Sequence, residues 1–351
     1  MRSVTLSRTH AVALALVLGA AVVFGLTSSA QASAFAANTR GCTTVLHPGS
    51  GLARTVNAAK PGDTICLASG DYNAGRLIIG RSGRAGAPIT LRGVTTTLPA
   101  TIHGAVLLSD SANYWTIEDL HLDGRNQWNL PSPMIAGDHS IWRRLDVTNY
   151  HAGAGASGGG ICFSLGQTAQ YGYAGWTTIE DSRIHDCGIS DNHNHGIYVS
   201  ATTGLTVIRD NWIYRNGDRG IQLFPAANRV LIVHNAIYSN GSGVIFGGEG
   251  NLTSSNVSVV GNIISSSRNR WNVESWYPSG ASSGTNNIVA HNCLWAENSN
   301  TEYDVRGGIA PELGFTATAN VTEHAGFLVT RTGDLRLNPR GGCQGYGPRP
   351  S

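Results

Sequence analysis

The sequence predicts an all-β fold, a single-stranded right-handed parallel β-helix, and three observations carry that prediction. One segment recurs with a basic period of about 24 residues. Four successive copies of it place an asparagine at the same position. Glycine supplies 45 of the 351 residues, roughly twice its usual share, as expected of a chain with many corners and few helices.

The repeat is clearest where Ile179 to Gly188 aligns with Ile208 to Gly217 and with Ile232 to Gly241. Val259 to Ile264 and Val289 to Leu294 continue it, and Ile117 to Leu122 and Trp142 to Val147 are fainter copies. Spacings between successive copies run from 24 to 37 residues, so each coil has a constant core and variable insertions. Two positions before the last apolar anchor stand Asn211, Asn235, Asn262 and Asn292. A buried amide is costly unless bonded, so asparagines in register predict a stacked ladder, with Asn216 and Asn240 hinting at a second. A further strand follows each of these segments: Gly196-Ile-Tyr-Val, Gly220-Ile-Gln-Leu, Gly243-Val-Ile-Phe. Alternation points Ile197, Val199, Ile221, Leu223, Val244 and Phe246 inward and Tyr198, Gln222 and Ile245 outward. Parallel stacking of such units gives the β-helix, and the crossover rule gives its right hand.

Before the coils, Arg2 and Arg8 precede the apolar run Ala11 to Leu26 and the small residues up to Ala32. That is the pattern of a Sec-type secretory signal peptide over residues 1–32, which predicts a secreted, extracellular protein with no membrane attachment after processing. Export makes the even set Cys42, Cys66, Cys162, Cys187, Cys293 and Cys343 candidates for disulfides. Cys42 and Cys66 bracket one compact unit and are expected to pair. Of the 15 complete pairings that six cysteines allow, 162–187 and 293–343 complete only the nearest-neighbour choice.

Charge narrows the partners. There are 24 Lys and Arg against 22 Asp and Glu, a formal net charge of +2, and Arg2 and Arg8 of the leader account for that excess. No basic field for nucleic acid remains. Lys60 is the only lysine.

Two stretches carry a family resemblance. Leu52 to Ala59, followed by Lys60-Pro-Gly-Asp-Thr-Ile65 and running to Tyr72, is similar to the opening of many secreted β-helix proteins, including the alginate lyase and chondroitinase B type. Thr177 to Asn298 resembles the generic β-helix repeat region. The chain thus resembles the pectin-lyase-like right-handed parallel β-helix superfamily of secreted carbohydrate-active proteins. The resemblance implies a short N-terminal capping helix within a cap at 42–75, coils over about 76–310, and a closing segment at 311–351, all in one domain over 33–351. It implies an extracellular polysaccharide as partner, bound along an outer sheet beside corner loops; a monomer is expected.

The corners that converge under this stacking supply the candidate site. The coil between Ile184 and Ile213 carries extra residues, among them Asp186, Asp191, His193 and His195; the next corner holds Asp218 and Arg219, and the one after next holds Arg270 and Trp271. The main expectation is a polysaccharide lyase that performs β-elimination on a uronate-containing polymer. Arg219 or Gln222 would neutralise the substrate carboxylate, His193 or His195 would take the C5 proton, and Tyr198 would protonate the leaving oxygen. Asp191, Asp218, Gln222, Arg270 and Trp271 would contact substrate. The lysine base of related lyases has no counterpart here. No cofactor is required by these residues; calcium is a possible one, with Asp186 and Asp191 as hard oxygen ligands. One alternative is a polygalacturonase-like glycoside hydrolase using paired Asp186, Asp191 or Asp218. Another is a non-catalytic polysaccharide-binding or envelope β-helix protein presenting Trp271, Trp276 and Tyr277.

Overall fold

Three short apolar runs per repeat, separated by turn residues, become three strands per coil. The structure is a computed structural model; it describes residues 39–95, 98–125, 129–150, 160–166, 172–189, 193–297 and 301–349. The segment 1–32, expected to be a signal peptide, and Asp191 lie outside the described residues. One coil consists of Thr206–Arg209, Trp212–Tyr214 and Arg219–Ala226, and the next of Asn228–Val233, Ala236–Tyr238 and Ser242–Glu249. The two stack in parallel, with Val207 opposite Leu231, Ile213 opposite Ile237 and Ile221 opposite Val244.

First-row strands form an 11-stranded sheet from Thr44–Leu46 to Thr316–Thr318. The second and third rows merge into a 17-stranded sheet, because Gly70–Ile79 and Ala100–Leu108 pass through the corner without a break. A register shift between Asn73 and Gly75 makes that bend. Opposite it, Gly104 has φ 113°, and a Cβ there would lie 2.2 Å from the Gly75 carbonyl oxygen, so this corner requires glycine.

Alternation is obeyed inside the coils. Ile197, Val199, Ile221, Leu223, Val244 and Phe246 are fully buried in a single core that runs from Leu46 to Phe315, each such side chain stabilising by about 1.5–3 kcal/mol. The helix Leu52–Ala58 lays Leu52 and Val56 on the open end of that core, which is the capping role implied by the resemblance.

The asparagine ladder is continuous. Asn211 Nδ2 donates to Asn235 Oδ1 at 3.0 Å, Asn235 Nδ2 to Asn262 Oδ1 at 2.9 Å, and Asn262 Nδ2 to Asn292 Oδ1 at 3.0 Å. Asn320 extends it at one end and Ser182 at the other. Asn216 and Asn240 form the second ladder. Left-handed residues Asp210, His234, Gly261 and His291 precede the four asparagines; they turn the chain so that the amide points along the stack.

Disulfides join Cys42 to Cys66, Cys162 to Cys187 and Cys293 to Cys343, as nearest-neighbour pairing expects. The C-terminal segment differs from a simple end lid. Its first part, Thr316–Thr318 and Val321–Thr322, completes a last coil. The rest runs back along the flank: Phe327 packs on Tyr238, Leu335 on Tyr214 and Ala236, and Gly347 N donates to Gly261 O. The reason is burial, since these second-row strands point apolar and aromatic side chains outward.

Candidate functional site

The third-row strands carry the candidate site on their outer face. Ser164, Tyr198, Gln222, Ile245 and Glu274 stand in register on successive coils. At the N-terminal end of these strands, corners from three coils meet around Asp218, whose side chain is fully buried. Its carboxylate accepts bonds from the Arg219 and Arg270 guanidiniums and from the His193 backbone N–H at 3.2 Å. Arg270 Nε also donates to Glu274 at 3.1 Å. Two acids and two bases therefore interlock across three coils, and breaking such a buried pair by removing one partner costs about 3–5 kcal/mol.

The two histidines have separate environments. His193 is exposed and lines a cleft of about 340 Å³ together with Arg219, Gln222, Phe224, Ile245 and Trp276. His195 is only 2% exposed, its Nδ1 3.4 Å from Asp218 and its ring 5.7 Å from that of Tyr198. Burial, and then the neighbouring Arg219 charge, hold the His195 imidazole well below its ordinary pKa, so it is neutral. Burial lifts the Asp218 carboxyl above its usual value against the pull of the two guanidiniums. It also raises the Tyr198 hydroxyl, which keeps its proton.

Arg219 has a free edge. Nη1 is bonded to Asp218 and Nε lies 4.0 Å from Glu274, while Nη2 has no hydrogen-bond partner among the described residues. A cationic donor is thus fixed at the polar end of the cleft. The other end is apolar: Trp276 is 53% exposed, and its ring lies 5.9 Å from that of Phe224.

The structure therefore brings together His193, His195, Tyr198, Asp218, Arg219, Gln222 and Arg270, and it adds Glu274 and Phe224; Trp276, expected as a sugar-stacking surface under the non-catalytic alternative, lines the same cleft. Glu274 has a signal in the sequence: Asn272-Val-Glu-Ser-Trp276 is the second copy after the strand that contains Gln222. Trp271 stands apart from the cleft lining and packs edge-on against Tyr303. Asp191 lies outside the described residues. Asp186 belongs to another cluster, on the second-row face, where its oxygens bond His185 at 2.6 Å and Arg215 at 2.6 and 3.0 Å. That leaves it poorly suited to calcium, and among the described residues no group of three or more His, Cys, Asp or Glu is arranged to hold a metal ion.

Fold and site together define a class: this is a right-handed parallel β-helix protein with a cleft on one outer sheet face. Residues 163–310 match the family model described as right handed beta helix region, and residues 48–138 match that described as chondroitinase B. These regions contain the two stretches, Leu52 to Tyr72 and Thr177 to Asn298, on which the resemblance rests. Among solved structures, a mannuronic acid specific polysaccharide family 6 lyase from human gut microbiota is 14% identical with a TM-score of 0.46, covering 73% of this chain and 54% of its own. The chain thus spans about half the length of that lyase. An alginate lyase from Paenibacillus is 15% identical with a TM-score of 0.47, covering 80% of this chain and 100% of its own. Pectate lyase Pel9A is 12% identical with a TM-score of 0.41, covering 90% and 94%. No curated protein matches the chain.

Proposed function

We propose that this protein is a secreted polysaccharide lyase that cleaves a uronate-containing polymer by β-elimination in the third-row cleft. The observation that carries the reading is the free edge of Arg219, held toward the cleft by buried Asp218 and adjacent to exposed His193. A uronate carboxylate seated on Arg219 Nη2 would have its charge offset, which makes the C5 hydrogen more acidic. His193 then takes the C5 proton, as imidazole suits proton transfer near neutrality. The C4–C5 double bond forms as the C4–O4 bond breaks, and Tyr198 gives its proton to O4. His195, buried and neutral, positions Asp218 and does not touch substrate. No step is routed through calcium. The three disulfides and the leader sequence support an extracellular setting. The hydrolase alternative is less well supported, because Asp186 and Asp218 are each held in their own arginine pairs.

The test is incubation of the processed protein with alginate, pectate, chondroitin and glucuronan while the ultraviolet absorbance of the unsaturated uronate is followed. Absorbance that grows with wild type, and is lost in His193→Ala and Arg219→Ala, supports the proposal. New reducing ends without that absorbance would turn it into a hydrolase, and no product from any polymer would refute both.

A further inference from the structure

A second cavity, of about 500 Å³, lies apart from the cleft. It lies at the corner between first- and second-row strands, under the returning C-terminal segment. Ile263, Leu335 and the Trp212 indole make its apolar surface, and Asp181 and Tyr346 stand at its edge. The volume is in the range of small-molecule sites. Three polar groups there have no hydrogen-bond partner among the described residues: the Asp181 carboxylate, Trp212 Nε1 and the Tyr346 hydroxyl. None of the three is sealed from solvent.

An apolar surface edged by one free acceptor, one free donor and one hydroxyl matches an amphipathic ring with hydroxyls on its rim. Charge selects further. The lining holds Asp181, Asp210, Arg183, Arg336 and Arg349; behind it Arg336 is paired with Asp334 at 2.6 Å, and Asp210 with Arg209 at 3.3 Å, which also holds Glu180. Those charges balance, so the cavity has no net field for an ion. We infer that this cavity is a second glycan-binding site, taking a neutral pyranose unit stacked on Trp212, with hydroxyls bonded to Asp181 and Tyr346. It faces away from the third-row cleft. The protein would hold a neutral polysaccharide on one flank while the cleft engages an acidic one, and the inference does not rest on the cleft's activity.

The test uses the whole processed protein and the indole N–H resonance of Trp212, assigned by its loss in Trp212→Phe. Cellohexaose, mannohexaose and galactohexaose are each titrated to millimolar concentration. The expected result is a saturable shift with at least one hexaose, unchanged in the cleft variant Trp276→Ala and weakened about tenfold, or about 1.4 kcal/mol, in Asp181→Gly. Glycine keeps the left-handed turn at position 181, where φ is 49°, and matching thermal unfolding of this variant establishes its fold. No shift from any hexaose overturns the inference. So does a shift abolished by Trp276→Ala, which places the ligand in the cleft, or one that Asp181→Gly leaves unchanged.

Discussion

Replacing Asn235 with alanine should cost more stability than any conservative change on the surface, because this amide is an interior rung of the ladder. Its Oδ1 accepts from the Asn211 backbone N–H and from Asn211 Nδ2, both at 3.0 Å. Its Nδ2 donates to Ile208 O at 2.9 Å, Val233 O at 3.2 Å and Asn262 Oδ1 at 2.9 Å. The side chain is fully buried. Alanine leaves the Asn211 N–H without its acceptor and removes donors from two carbonyls. At about 1–3 kcal/mol for each buried group left unmade, the expected loss is about 3–9 kcal/mol, a large part of a typical net stability of about 5–15 kcal/mol. Asn320, at the half-buried end of the ladder, should cost only about 1 kcal/mol on the same change, since water can replace what it offers. The assay is denaturant unfolding followed by circular dichroism and by tryptophan fluorescence, with coincident curves required before free energies are compared, because solenoids can lose cooperativity. An Asn235→Ala loss no larger than that of Asn320→Ala would refute the ladder as a source of stability.

Three further outcomes follow from the site and its surroundings. Burial draws the His185 imidazole down, but its bonds to Asp146 at 2.8 Å and Asp186 at 2.6 Å outweigh that and leave its pKa raised. Its contribution is therefore fully present below pH 6.5, about the unfolded value, and fades as pH rises through the folded value; His185→Gln should remove that part of the wild-type decline in unfolding midpoint. Trp276→Ala should raise KM about tenfold with kcat little changed, as expected for uniform binding at the apolar end of the cleft, measured by initial rates on the polymer that the wild type cleaves. Gly188 has φ 71°, and a Cβ there would lie 2.0 Å from Asn194 Oδ1. Gly188→Ala should cost about 2–3 kcal/mol and lower activity by shifting the corner that carries His193, both read from one preparation by thermal unfolding and turnover.

The coils were legible because their constraint is local and repeated. Asn211, Asn235, Asn262 and Asn292 each solve the same corner, so one position in the alignment reports a contact between coils. The site is assembled from corners that do not repeat, and there alternation misleads. His193 and His195 are two residues apart and would share a face in a regular strand. His193 instead has φ 65°, which breaks the alternation, sending one imidazole to the cleft and the other beneath it. Glu274 reaches Arg219 from two coils away, a proximity set by register and not by spacing. The same limit hid the row Arg92, Glu118, Arg143, Glu180 and Arg209, which stand in register on the first-row sheet although their sequence intervals are unequal. These opposite charges consume one another on the surface. A chain with almost no net charge can then present a cation to a polyanion only where the fold leaves one partly unpaired, and the corner that fixes Arg219 on buried Asp218 meets that condition.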